Sequence, residues 1–165
     1  MTSDMTAAGR GGRGKAVRIR RATARDGKRL TGLVRNSRAY QGPYEPMVAG
    51  YRVGPDYIET HSVHVAVGED DAVLGFYALV LSPPELDLMF VSDAAQGLGI
   101  GRGLVQHMAG EARRAGITAV RVVSHPPAEG FYRSVGAQRC GTVRANPPAV
   151  MWDRPELIIP IPSAW

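Results

Sequence analysis

Apolar residues along this chain recur on a two-residue period in several short runs and on a helical period in one long one. Val17 and Ile19 alternate with Arg18 and Arg20, which predicts a short strand over 16–20. Thr23 or Ala24-Arg25-Asp26 then opens a helix that carries Leu30, Leu33 and Val34 and runs to about Tyr40, where Gln41-Gly42-Pro43-Tyr44 breaks it. Residues 61–69 set Val63, Val65 and Val67 against Ser62, His64 and Ala66, a strand with one apolar face. Gly68-Glu69-Asp70-Asp71 turns the chain, and 72–81 returns as a second, more apolar strand.

After Ser82-Pro83-Pro84 comes a further strand over 85–91, then a loop with Gly97, Gly99, Gly101 and Gly103 on alternate positions. The helix that follows places Leu104, Val105, Met108, Ala112 and Ala115 on one face, with Arg102, Gln106, Arg113 and Arg114 away from it. Gly116 closes it as a left-handed C-cap. Residues 119–124 read as a buried strand ended by His125-Pro126-Pro127, 128–135 as a short helix capped by Gly136, and 137–143 as a strand. A last strand over 157–161 is tolerable only at a sheet edge, because Pro160 cannot donate to a ladder. Hairpins first and helical crossovers later predict a mixed α/β sheet.

Two segments resist a regular reading. Residues 44–58 combine Pro46, Gly50, Gly54 and Pro55 with Tyr44, Met47, Tyr51 and Tyr57. They form an irregular cover facing a substrate, with room for a short helix, or rings packed over the sheet edge. The loop from Asn146-Pro147-Pro148 to Pro155 is placed to close one side of a site.

At 165 residues the chain makes one domain with a sizeable core, and its 44% hydrophobic content is ordinary for a globular protein. No run of apolar residues is long enough to span a membrane and no secretion signal opens the chain, so a cytoplasmic address is the default. The single Cys140 excludes an internal disulfide framework and, with only four His, offers no metal-ligand cluster. Residues 1–38 hold eleven Lys/Arg against two Asp, a net +9, whereas 39–165 carry nine against thirteen, a net −4. A front of this kind attracts nucleic acid, phosphorylated ligands or acidic partners; without interleaved aromatics it argues for a solvated face rather than a nucleic-acid site. Residues 1–15, rich in Gly and small polar residues, form a disordered basic leader before a domain over 16–165.

A glycine loop feeding a helix N-terminus is a phosphate cradle: backbone amides are free, the helix dipole is favourable, and no side chains exclude the ligand. Arg102-Gly103 stands where a P-loop would have Lys-Ser/Thr, and the glycine spacing does not suit a dinucleotide fingerprint. Gln96-x-x-Gly99-x-Gly101 resembles the pyrophosphate-binding signature of the GNAT-type N-acetyltransferase superfamily. The strand Glu85-Leu86-Asp87-Leu88-Met89-Phe90-Val91 ahead of that loop adds to the resemblance, and Ala128-Glu129-Gly130-Phe131-Tyr132-Arg133-Ser134-Val135-Gly136-Ala137 behind it looks like the family's Phe-Tyr … Gly-Ala/Phe element; the match covers about residues 16–143.

The resemblance implies a single-domain α/β fold, a mixed central sheet flanked by helices with the glycine loop between strand 4 and the central helix. It also implies acyl transfer from a thioester, usually acetyl-CoA or another acyl-CoA, to an amine. Gln96, Gly97, Leu98, Gly99, Ile100, Gly101 and Arg102 would hold the pyrophosphate, and Met89, Phe90 and Val91 would pair with the pantetheine arm as an added strand. Tyr132, carried over from the matching Phe-Tyr element, would donate a proton to the departing thiolate. Glu85 and Asp87, two apart on one strand, share a face, and either would serve as a base for the attacking amine. Glu85 also reads as a solvated charge, whereas Asp87 between two leucines needs a partner.

Tyr40, Tyr44, His125 and Trp152 are expected at the acceptor pocket, and His107 is expected to be solvent-exposed. Pro126-Pro127 departs from the family, whose members often carry an Asn nearby. A small-molecule amine is the expected acceptor. An acyl carrier protein thioester as donor, docked on the basic front, and a non-catalytic CoA- or nucleotide-binding module are the alternatives. A homodimer is compatible with the sequence.

Overall fold

The computed structural model describes residues 17–163, apart from 41, 43, 45–47 and 49. The leader expected over 1–15 lies outside the described residues, as do Pro46 and Met47. Seven strands form one sheet in the order β1 (Arg18–Arg21), β2 (Ser62–Val67), β3 (Val73–Leu81), β4 (Pro84–Val91), β5 (Ala119–Val123), β7 (Arg154–Pro160) and β6 (Gln138–Val143). β1 to β4 are antiparallel neighbours, β4 and β5 run parallel, and β5, β7 and β6 pair antiparallel again.

Helices cover both faces. Leu30 and Val34 of α1 (Gly27–Arg35) and Ile58 of α2 (Pro55–Thr60) pack with Val63, Val65, Val67, Phe76 and Phe90. On the opposite face Leu104, Met108 and Ala112 of α3 (Ile100–Arg114) and Tyr132 of α4 (Glu129–Ser134) join Tyr77, Leu79, Val120, Val122, Leu157 and Ile159. The face expected for α3 is the buried one, except that Ala115 lies beyond its end and is exposed. Gly116 and Gly136 take the positive φ their cap positions require.

Several elements differ from expectation for tertiary reasons. The helix expected from 23 or 24 to 40 divides into a 3-10 turn (Ala24–Asp26), α1 and a second 3-10 turn (Arg38–Tyr40). The break carries the Tyr40 ring onto Phe90 of β4, 5.5 Å between centroids. β2 has no polar face: all six of its residues are buried, because it lies inside the sheet with helices on both sides. β7 is not an edge strand but lies between β5 and β6. Pro160 is accommodated because β6 reaches only to Ile158, so no donor is needed beyond it on that side.

The basic front is partly neutralised within the fold. Asp26, 2% exposed, accepts hydrogen bonds from Arg20 at 2.9 Å, from Arg29 at 2.9 Å and from the Thr23 amide at 2.8 Å. Asp71, from the left-handed turn before β3, binds the same two arginines. The Arg20 bond, followed by those from Thr23 and Arg29, outweighs burial and holds the Asp26 carboxyl well below the usual carboxylate range.

Candidate active site

β4 departs from regular pairing on both of its edges. Against β3, Leu86 pairs with Leu79 and Leu88 with Ala78, so Asp87 is the extra residue of a β-bulge. Against β5, the only register pair is Glu85 with Arg121. Beyond it the two parallel strands part, which leaves Met89, Phe90 and Val91 without a β5 ladder. Such a split lets an extended ligand lie between strands and bond to the free backbone groups.

The glycine loop stands at the mouth of the split. Gly97 and Gly99 have φ of +82° and +80°, a left-handed conformation that side-chain-bearing residues rarely adopt. Gly99 is the N-cap of α3, and the first helical amide to find an intrahelical acceptor is that of Gly103, bonded to the Gly99 carbonyl at 3.0 Å. The amides of Ile100, Gly101 and Arg102 are therefore free of the helix ladder and can hold anionic oxygens. A Cβ at Gly101 would meet the Phe131 ring at 3.2 Å, so glycine there allows the close approach of α3 to α4. Gln96 turns back and donates from its amide to the Val91 carbonyl at 3.1 Å, tying loop to strand end. Leu98 is 69% exposed and lies outside the cavity.

One cavity of about 710 Å³ joins this loop to the strand carboxylates. Glu85, Asp87, Met89, Phe90, Val91, Gln96, Gly97, Gly99, Ile100, Gly101, Arg102, His125, Tyr132, Tyr40 and Trp152 all line it. Tyr44 does not, but its ring meets the edges of His125 and Trp152 at 4.5 and 4.7 Å. His125 stacks on Tyr40 at 3.9 Å and its Nε2 lies 2.7 Å from the Ala39 carbonyl. Burial lowers the His125 pKa despite that bond, and burial pushes the Tyr40 phenol up to about 12.

The two carboxylates have different partners. Asp87 accepts a hydrogen bond from the Tyr57 hydroxyl of α2 at 2.5 Å, and no ion pair reaches it among the described residues. Burial, then the bond to Asp87, raises the Tyr57 pKa, so the proton stays on the phenol. Glu85 lies 3.4 Å from Arg121, which bonds Glu156 more closely at 2.6 Å. Tyr132 of α4 is 8% exposed, and desolvation raises its pKa, which keeps it protonated as a donor.

Tyr51, expected in the cover over the acceptor pocket, lines the cavity, whereas sequence reasoning left out Arg121, Arg154 and the contact of Tyr57 with Asp87. The aromatic, interrupted character of residues 44–58 was the available signal for Tyr57. Nothing local marks Arg121 or Arg154. His107, expected to face solvent, is half-buried: its Nδ1 lies 2.8 Å from the Tyr77 hydroxyl and its ring 4.6 Å from His64. His64, His107 and Glu111 bring three ligand-type atoms within 4.8 Å, although the His count alone gave no hint of a cluster. Arg114 occupies Glu111 at 2.6 Å. This group lies on the α3 face of β2 and β3, and none of its members lines the cavity.

A mixed sheet split between two parallel strands, with a left-handed glycine loop leading into α3 at the opening, defines the frame of an acyltransferase. Residues 51–146 match the family described as an acetyltransferase (GNAT) domain. The chain is 28% identical over 134 residues to the peptidyl-lysine N-acetyltransferase YjaB of Salmonella typhimurium, covering 76% of this chain and 86% of that protein. A GCN5-related N-acetyltransferase structure from Rhodopseudomonas palustris superposes with a TM-score of 0.74 at 14% identity, over 86% of this chain and 94% of the other. A phosphinothricin acetyltransferase from Sinorhizobium meliloti, solved in complex with acetyl-CoA, gives 0.67 at 21% identity over 88% of each chain. The chain belongs to the GNAT acetyltransferase family and is an acyltransferase enzyme. No helix among the described residues is long and apolar enough to cross a membrane.

Proposed function

We propose that this chain moves an acetyl or other acyl group from a coenzyme A thioester to the amine of a small molecule, with both held at once and no covalent enzyme intermediate. The observation that supports it is the single cavity running from the free amides of the glycine loop to Asp87 and Glu85, with Tyr132 on its wall. The coenzyme would supply the activated acyl group. Amides of Gly97 to Arg102 would hold its diphosphate, with Arg102 as a charge partner, and the open edge at Met89, Phe90 and Val91 would align its arm.

Asp87 would accept the proton of the incoming ammonium, directly or through water, because it has a hydroxyl partner but no cation to satisfy it. Glu85, shared with Arg121, would add negative charge beside it. Tyr132 would give its proton to the departing sulfur as the new C–N bond forms and the C–S bond breaks.

Thermal stability with acetyl-CoA, longer acyl-CoAs and free CoA tests the donor, since a ligand that binds only the folded state raises its apparent stability. Thiol release measured in Asp87→Asn and Tyr132→Phe then tests the roles: each should slow turnover about a hundredfold. Unchanged rates in both would remove the two assignments, and no stabilisation by any coenzyme would remove the reading itself. A carrier-protein donor is distinguished by turnover with an acylated carrier and none with acyl-CoA. A peptidyl-lysine acceptor, named for the Salmonella relative, is distinguished by transfer to a lysine peptide in preference to free amines.

A further inference from the structure

Among the described residues, four buried side-chain nitrogens have no hydrogen-bond partner: His64 Nδ1, His125 Nδ1, Trp152 Nε1 and Arg154 Nε. Three of the four belong to residues lining the cavity described above. A buried polar group left unmet costs on the order of 1–3 kcal/mol, and more when charged. Three of them around one space mark a place that something outside the protein completes.

Arg154 carries the argument. No carboxylate lies within ion-pair reach of it among the described residues, yet the charges beside it are matched. Glu156, two residues along β7, is taken by Arg121, and Arg121 also reaches Glu85. That row engages Glu156 and Glu85, and Asp153 accepts from the Ala145 amide, so Arg154 has no anionic partner among the described residues. Two residues before it, the Trp152 indole can only donate. Asp87, lining the same cavity, is a carboxylate without a cation. The cavity thus offers a cationic donor pair and an anionic group to one occupant.

We infer that the acceptor is an amino-acid-like amine, whose carboxylate sits on Arg154 and Trp152 Nε1 while its ammonium faces Asp87 and Glu85. The inference rests on the acyl-transfer reading above. A guanidinium fork matches a planar carboxylate through two parallel hydrogen bonds. Acylation removes the ammonium charge, so the product keeps only the Arg154 half of this grip, which favours its release.

The test measures thiol release from acetyl-CoA over the standard amino acids, their α-amides, the corresponding decarboxylated amines, phosphoethanolamine and a lysine peptide blocked at both ends. Acids should exceed their amides about tenfold or more in kcat/KM, the factor that 1.4 kcal/mol represents. Arg154→Gln should raise KM for the acid by a similar factor and leave KM for acetyl-CoA unchanged, and Arg154→Lys should restore part of the loss. In protein saturated with CoA, acids should change the fluorescence of Trp152, a response absent in Trp152→Phe and weakened in Arg154→Gln.

Equal use of amides, phosphoethanolamine or the blocked peptide would overturn the inference and leave acyl transfer standing. A raised KM for acetyl-CoA in Arg154→Gln would also overturn it, by placing the guanidinium on the coenzyme. So would neither transfer nor a Trp152 response with any acid while acetyl-CoA still stabilises the protein. If that stabilisation is missing as well, the acyl-transfer reading falls with it.

Discussion

Replacing His64 by Leu tests whether a buried, neutral imidazole makes this fold acid-sensitive. His64 is 7% exposed on β2, with its ring 4.6 Å from His107 and 5.3 Å from Tyr77. Burial first, then repulsion from His107, lowers its pKa from 6.5 to about 4, while Glu111 acts weakly in the opposite direction. The unfolded chain therefore binds the proton more tightly than the folded one. Stability is fully present above pH 6.5 and falls as pH drops from there toward 4.

A shift of this size is worth about 3 kcal/mol for a ring sealed from water. Half-buried His107 and Glu111 admit some solvent beside it, so about 2 kcal/mol is expected. Urea unfolding from neutral pH down to about pH 4.5 reads the effect as a difference between wild type and His64→Leu. The variant should gain about 2 kcal/mol relative to wild type over that range. The depressed Asp26 carboxyl does not interfere, because its stabilisation is lost only as pH falls below the unfolded value of 3.8. Parallel curves for the two proteins would refute the reasoning.

Gly99→Ala should lower stability by about 1 kcal/mol, a drop in Tm of a few degrees, because a residue with φ of +80° gains a Cβ. Open space surrounds that position, so the loss is conformational rather than steric, and the stabilisation by acetyl-CoA should shrink with it; an unchanged Tm and coenzyme response would contradict this. Asp26→Asn leaves Arg20 and Arg29 with Asp71 alone. It should cost about 2 kcal/mol in urea unfolding at neutral pH and flatten the acid loss below pH 4; equal stability at both pH values would contradict the network.

The strand, loop and helix around Gly99 were legible in the sequence because their signals are local. Glycines at 97 and 99, a helical apolar face from Leu104 to Ala112 and a capping Gly116 each report the conformation of their own few residues. The two carboxylates were legible as candidates from their spacing of two along one strand, whereas Tyr132 came only through the resemblance of its Phe-Tyr element to the GNAT family. His107 was not: its position relative to the apolar face suggested solvent, but β2 and β3 bring His64 and Tyr77 against it.

The amino-acid sequence by itself determined where most of the chain turns extended or helical and which loop leads into α3 with left-handed glycines. Tertiary structure alone decided that β7 lies between β5 and β6, that β4 and β5 part beyond Glu85, and that Asp87 stands at a bulge facing Tyr57. Hydrophobic period reports only which face of a segment is buried. Strand neighbours, the width of a split and the partner of a buried charge depend on residues tens of positions apart. Those become adjacent only when the whole sheet forms.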